Sequence, residues 1–246
     1  MRTLYSNLFV FPVLLCSVLL AAQSPALAND DLLAKEAQYV DAIVQDQNWQ
    51  SGLPLISVMQ GHVDSLADYQ FDSNLEGVSK NELKKGGGRY FFKRDNRVRL
   101  EVNSGGMNNG CVVVRKEDGT VRGAGGGMLR FVKMTLQPNS RILNLPNGYN
   151  VLKSDLSTLL DEVAQKAKAG AQVKVSAGTV HDKRFHMPVK VVDVTKGDHL
   201  LERIFVDPKN QIPVEWDLYQ DGKLLSVTTF KNFKPNVGLA DSLFDI

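Results

Sequence analysis

The sequence predicts a mainly β protein with helices, an antiparallel meander of about eleven strands accompanied by about three helices. Three observations predict it. Near the C-terminus two alternating apolar-polar stretches, 213–220 and 223–233, are joined by Asp221-Gly222, the dipeptide type that best supplies the positive φ values of a two-residue hairpin turn. Upstream, short alternating stretches recur between Gly, Asn and Asp turns, too closely spaced for an α/β alternation. Three further stretches show the three- and four-residue apolar steps of amphipathic helices.

Residues 1–28 read as a secretory leader outside the fold. Arg2 supplies the basic start, 8–22 is an apolar run too short to span a bilayer comfortably, and Ala26-Leu27-Ala28 is a small-x-small cleavage site. An uncleaved anchor is the alternative. Cys16 follows Leu15 instead of a small residue and is itself followed by more apolar chain, which argues against lipid attachment there. The expected mature chain is a single domain, 29–246, exported and soluble. Losing the leader removes one charge, Arg2, and the remainder stays near neutral, so there is no electrostatic case for nucleic acid. Cys111 is then the sole cysteine. No intramolecular disulfide can form, and a thiol at a strand start is expected to pack as a small buried hydrophobe, with a reactive thiol as the alternative.

The elements follow in order. A helix is expected from Asp30 to about Gln47, with Leu32, Leu33, Ala37, Tyr39, Val40, Ile43 and Val44 recurring at three- and four-residue steps and Asn29, Asp30 and Asp31 at its start. A second, 54–64, places Leu55, Val58, Met59 and His62 on one side. Strand 66–78 comes next, with Tyr69 and Phe71 alternating against polar neighbours. The run 84–88, ending Gly86-Gly87-Gly88, reads as a turn into strand 89–94. Asp95-Asn96 turns the chain, and 97–103 alternates Val98, Leu100 and Val102 against Arg97, Arg99 and Glu101, a face expected to lie in water. Strands 111–116, 120–122 and 128–136 follow. Helix 154–168 carries Leu156, Leu159, Leu160, Val163 and Ala167 on one stripe and stops at Gly170. Strands 172–180, 185–195 and 200–207 lead to the final hairpin. If Gln220 faces Lys223 there, Leu218 faces Leu225 and Trp216 faces Val227. One side then carries Val214, Trp216, Leu218, Leu225 and Val227, and the other, wetted side carries Glu215, Asp217, Tyr219, Ser226 and Thr228.

Catalytic chemistry finds little support. Gly86–Gly88 and Gly123–Gly127 lack the Gly-Lys-Ser/Thr ending of a phosphate loop and the strand–GxGxxG–helix setting of a dinucleotide site. His181 and His186, with Asp182 and Asp193 nearby, have spacing too loose to indicate a metal, and His62 reads as a core or lining histidine. No nucleophile–histidine arrangement has local support. No enzyme activity, cofactor or metal is expected.

The C-terminal order of residues 200–246 has a strand ending in Asp207-Pro208, Pro213 opening the next strand, the hairpin, and the tail Asp241-Ser242-Leu243-Phe244. It resembles the C-terminal end of the LolA/LolB-like superfamily of bacterial envelope carriers. Strands 90–102 and 128–136 with their preceding glycines look similar to a branch of that superfamily catalogued as a domain of unknown function. The resemblance implies a strongly curved antiparallel half-barrel with helices packed into its mouth and a hydrophobic cavity between them. It also implies a periplasmic location, and a lipid or the acyl chains of a lipoprotein as the passenger.

On that reading the inward positions Phe92, Val98, Leu100, Val102, Val132, Met134, Leu136, Trp216, Leu218 and Val227 are the expected cavity lining. Gly123, Gly125, Gly126, Gly127 and Met128 are the expected movable entrance, unless those glycines serve a tight turn or bulge. A sheet packed solidly on its helices would carry the same ten residues. The function readings are therefore a carrier or binder of a hydrophobic ligand, and an interaction or sensor module that binds a partner protein and transports nothing. A monomer is expected, with transient contact to a membrane or envelope protein.

Overall fold

The computed structural model describes residues 26–45, 47–79, 82–105, 109–145 and 147–246, with side chains in the first helix described from Leu33 onward. Three helices, α1 (Ala26–Val44), α2 (Leu53–Ser65) and α3 (Leu156–Lys168), accompany twelve strands. The strands are β1 (Trp49–Ser51), β2 (Asp68–Ser79), β3 (Glu82–Lys93), β4 (Arg97–Ser104), β5 (Val112–Arg115), β6 (Val121–Ala124), β7 (Lys133–Leu136), β8 (Gln172–Ser176), β9 (Lys190–Lys196), β10 (His199–Asp207), β11 (Ile212–Gln220) and β12 (Lys223–Pro235). Of the expected leader, residues 1–25 lie outside the described residues, and α1 begins at Ala26, ahead of the expected cleavage point.

All twelve strands form one open antiparallel sheet in the order β1-β8-β9-β10-β11-β12-β2-β3-β4-β5-β6-β7. Two meanders, β2–β7 and β8–β12, are therefore sewn together where β12 pairs with β2. The chain passes from one to the other through α3. Two-residue turns set the tightest connections: Asp221 and Gly222 hold φ of 51° and 75°, and Asp95 and Asn96 hold 67° and 59°, the left-handed pair a hairpin needs.

The concave face carries the main core. Tyr69 stacks on Phe92 at 4.9 Å and Phe71 on Tyr90 at 5.1 Å between ring centroids, across paired strands β2 and β3. α2 and α3 pack together into one end of this concavity. α3 is capped by Asp155, whose carboxylate accepts from the Thr158 amide, and it stops before Gly170 at φ 92°. In α2 the buried stripe is Ile56, Met59 and Val63, while Val58 is exposed, so the buried side is rotated from the expected Leu55, Val58, Met59 and His62.

The outer face departs most from expectation. A wetted surface was expected there, but α1 lies over it: Val40 and Val44 pack on Val189, Val191 and Phe205, and Leu33 packs on Tyr219, Leu224 and Val227. Glu215, Asp217 and Tyr219 are buried beneath it. Their alternation encodes two covered faces, one apolar and one threaded with charge. Arg203 bridges Asp193 at 2.7 Å and Asp41 of α1 at 2.8 Å, and Arg184 reaches Glu215 at 3.0 Å and Glu36 of α1 at 3.5 Å. The Asp182 and Asp193 carboxylates, once weighed as metal ligands, are thus engaged by Arg184 and Arg203.

Farther along the outer face the C-terminal tail covers β3–β5. Phe244 is buried against Phe91 and Val114. Lys93 and Arg97 bind Asp241, and Arg99 donates to the Leu243 carbonyl, so the charged off-face of β4 is partly covered.

A β-bulge shifts the final hairpin by one residue. Gln220 faces Lys223 as expected, but beyond it Leu218 pairs with Ser226, Asp217 with Val227, and Trp216 with Thr228. Leu225 is the extra residue, and one inserted residue exchanges the faces of everything beyond it. Val227 consequently stands on the α1 side, opposite to Trp216. A second shift, between Phe205 and Val206 on β10, places Val214 with the outer-face cluster as well.

Candidate functional site

Among the described residues, a concavity opens on the inner face away from α2. Its volume is about 690 Å³, and every strand from β2 to β7 contributes to its wall together with β11 and β12. The segment 141–145, which includes a short 3-10 turn at Arg141–Leu143, forms a roof with Tyr149, and Leu159 of α3 closes one end.

The glycines make the space. Gly86, Gly87 and Gly88 were expected to be a turn, yet they lie inside β3 and pair with Leu75, Asn74 and Ser73. An ideal Cβ on Gly87 would lie 2.5 Å from Asn74 Oδ1, and one on Gly88 2.5 Å from the Glu101 carbonyl oxygen. Close approach explains these two. Gly86 is different: nothing lies within 4 Å of its Cβ position, so its missing side chain is open cavity.

Of the ten expected lining residues, the structure brings six to this cavity: Leu100, Val102, Met134, Leu136, Trp216 and Leu218. Phe92 and Val98 belong to the packed core beside it. Val227 lies on the opposite face because of the bulge. Val132 is about half exposed in the loop before β7, which starts at Lys133 and not at Met128. Phe71, Leu75, Val113, Tyr149 and Phe230 also line the space. Alternation along 66–78 could have placed Phe71 and Leu75, but nothing in the irregular stretch around Tyr149 marks it as a roof.

The expected entrance is also more constrained than its composition suggests. Gly123 belongs to β6 opposite Val113 and Met134, and Gly125 borders the cavity. A Cβ on Gly126 would sit 2.0 Å from the Asn109 carbonyl oxygen, and Gly127 holds φ 55°. Backbone bonds from Leu129 to Gly126 (2.9 Å) and from Val132 to Leu129 (2.8 Å) tie the loop to itself. These are positions of close approach and positive φ, and Met128 stands almost fully in solvent.

The polar groups near the cavity are held neutral or paired. Burial, reinforced by the Glu202 and Glu162 charges, raises the Tyr149 hydroxyl well above its ordinary value. Burial does the same for Tyr90, whose hydroxyl donates to the Val151 carbonyl at 3.3 Å. The buried Glu202 carboxylate accepts from Trp216 and from Lys166 of α3. Cys111 is half-buried in the wall. Cations stand at the rim: Lys84, Lys85 and Arg141 are all exposed, and Lys85 pairs with Glu76 at 2.7 Å. Among the described residues, no group of three or more His, Cys, Asp or Glu could hold a metal ion.

The fold and this site together define the class: an open antiparallel half-barrel with an apolar pocket enclosed between its sheet and a covering segment. No protein-family model matches the chain, and no curated protein sequence matches it. Among solved structures it is similar to a LolA superfamily protein from Nitrosomonas europaea, with 8% identity over 80% of this chain and 98% of that one, TM-score 0.43. It is also similar to a DUF1329 family protein from Desulfovibrio piger, with 13% identity over 79% and 95% of the chains, TM-score 0.41. A third is a chain of the MucA/MucB complex from Pseudomonas aeruginosa, with 15% identity over 78% of this chain, TM-score 0.45. The present chain spans 60% of that one's length. These likenesses are of fold.

Proposed function

We propose that this protein binds and carries a hydrophobic ligand, a lipid or the acyl chains of a lipoprotein, in the periplasm. The observation that carries the reading is the cavity itself. Its volume of about 690 Å³ lies within the roughly 300–1,000 Å³ of small-molecule sites, and its wall is predominantly apolar and aromatic, with Ser73, Asn144, Asn147 and Thr228 among the polar residues that border it. In this reading Leu100, Val102, Met134, Leu136, Trp216 and Leu218 contact the ligand, and Gly86 leaves it room. Among the described residues, the charged groups of the lining, Lys84, Lys85 and Arg141, are exposed, so an acyl chain would not have to desolvate a buried charge there. The periplasmic location follows from reading residues 1–28 as a cleaved leader.

Two measurements test the proposal. Organic extracts of purified protein should contain acyl chains by mass spectrometry, and an environment-sensitive fatty-acid probe should bind saturably. Gly86→Leu should fill the cavity and abolish probe binding while leaving the fold intact. A protein that comes out empty and binds no probe is instead the partner-binding module, and the carrier reading fails. Intact-mass analysis of envelope protein separately decides the location: a mass that still includes residues 1–28 would sink it.

A further inference from the structure

The loop between β6 and β7 exposes more apolar surface than a water-facing turn has reason to. Met128 is 97% exposed, Phe131 77%, Leu129 58% and Val132 48%, and Ile142 on the adjacent roof segment is 49% exposed. Contiguous exposed apolar side chains of this size mark a surface that meets a partner or a membrane. The tip is held by its own backbone bonds and by the close approach of Gly126 to Asn109. The amides of Leu129, Arg130 and Val132 are bonded within the loop, so part of the backbone that would meet an apolar medium is already satisfied.

Charge identifies the partner. From Gly119 through Ser154 the chain has no aspartate or glutamate, while Arg122, Arg130, Lys133, Arg141 and Lys153 fall within the same run. Arg130 lies over the Phe131 ring at 4.7 Å, and Lys84 and Lys85 stand across the cavity mouth. Apolar side chains at a tip whose own run of chain carries cations and no acid suit the interface of a bilayer carrying anionic headgroups, even though Lys85 across the mouth pairs with Glu76.

We propose that Met128, Leu129, Phe131 and Val132 dock the protein onto an anionic lipid surface, with Arg130, Lys133 and Arg141 contacting the headgroups. Gly125, Met134, Arg141 and Ile142 border the cavity, so docking turns its mouth toward the bilayer. The docking stands on the tip alone. Only the passage of a chain between bilayer and cavity rests on the carrier reading.

Flotation of the full chain with vesicles of phosphatidylcholine, and of equal parts phosphatidylcholine and phosphatidylglycerol, tests it. The mixed vesicles should bind the protein and the neutral ones much less. Met128→Ser with Phe131→Ser should weaken binding about tenfold or more, since each removes apolar area that would enter the interface. Arg130→Gln with Lys133→Gln should weaken it and flatten its salt dependence. Both pairs are exposed, so an unchanged unfolding midpoint confirms that the fold persists. Absence of vesicle binding by the wild type, or binding by both pairs of variants as strong as the wild type's, overturns the proposal. So does a dimer in solution that Phe131→Ser dissociates, because the patch then serves a second copy of the chain. Vesicle binding without fatty-acid probe binding keeps the docking and removes the carrier; probe binding without vesicle binding does the reverse.

Discussion

The Trp216 indole nitrogen donates to Oε2 of the buried Glu202 carboxylate at 3.1 Å, and Lys166 of α3 binds the other oxygen. One carboxylate thereby links the cavity floor to the helix that closes its end. Removing the indole leaves a buried charge with one partner fewer as well as a void. Trp216→Phe should cost about 1–3 kcal/mol for the lost bond to a charged group, and Trp216→Ala about 3–5 kcal/mol. Denaturant midpoints check both. An unchanged midpoint in Trp216→Ala would show that the indole is not packed.

Gly126 and Gly86 should separate by what surrounds them. Gly126→Ala drives a methyl group into the Asn109 carbonyl and should destabilise by about 1–3 kcal/mol. Gly86→Ala meets nothing and should shift the midpoint by less than about 1 kcal/mol in either direction. Equal effects of the two would contradict the packing of the β6–β7 loop on Asn109.

Stability should rise as the solution is mildly acidified. Burial pushes the Glu215 carboxyl up to about 7 from an ordinary 4.5, against the pull of Arg184. Burial and the Glu215 charge also hold Asp217 well above the usual carboxylate range, and neither of its oxygens has a hydrogen-bond partner among the described residues. A carboxyl raised in the folded state costs stability while ionised. That cost is full above about pH 7 and fades as the pH falls through 7 toward 4.5. Asp72 and Asp241, lowered chiefly by Arg89 and Lys93, act in the opposite sense only at more acidic pH. From about pH 8 to about pH 5.5 the unfolding free energy should therefore increase, by on the order of 2 kcal/mol from Glu215 alone. Glu215→Gln should flatten the trend, and a wild-type stability that falls over the same window would refute it.

One side chain takes three amides at the root of the C-terminal tail. The buried Asp68 carboxylate accepts from the amides of Val237 (2.7 Å), Gly238 (3.2 Å) and Leu239 (3.0 Å). Asp68→Ala should cost about 2–4 kcal/mol and open the last ten residues to carboxypeptidase, because three amides lose a charged acceptor at once. A tail equally resistant in both proteins would place its anchorage in Phe244 and the Lys93 and Arg97 contacts instead.

What the sequence determined by itself was everything set by local chemistry. Asp221-Gly222 and Asp95-Asn96 demand their left-handed turns, the Leu156–Val163 stripe demands a buried helix face, and the alternation of Val98, Leu100 and Val102 demands one inward side of a strand. These features suffice for the mainly β class and its antiparallel order. What each face meets was decided by tertiary structure. Glu215, Asp217 and Tyr219 look like a wetted face until α1 and the partners Arg184 and Arg203, distant along the chain, cover them. The glycines at 86–88 look like a turn until β3 pairs with β2 and β4 and brings Asn74 and the Glu101 carbonyl up to Gly87 and Gly88. The one-residue bulge at Leu225 is set by how β11 and β12 pair, and it carries Val227 from one side of the sheet to the other.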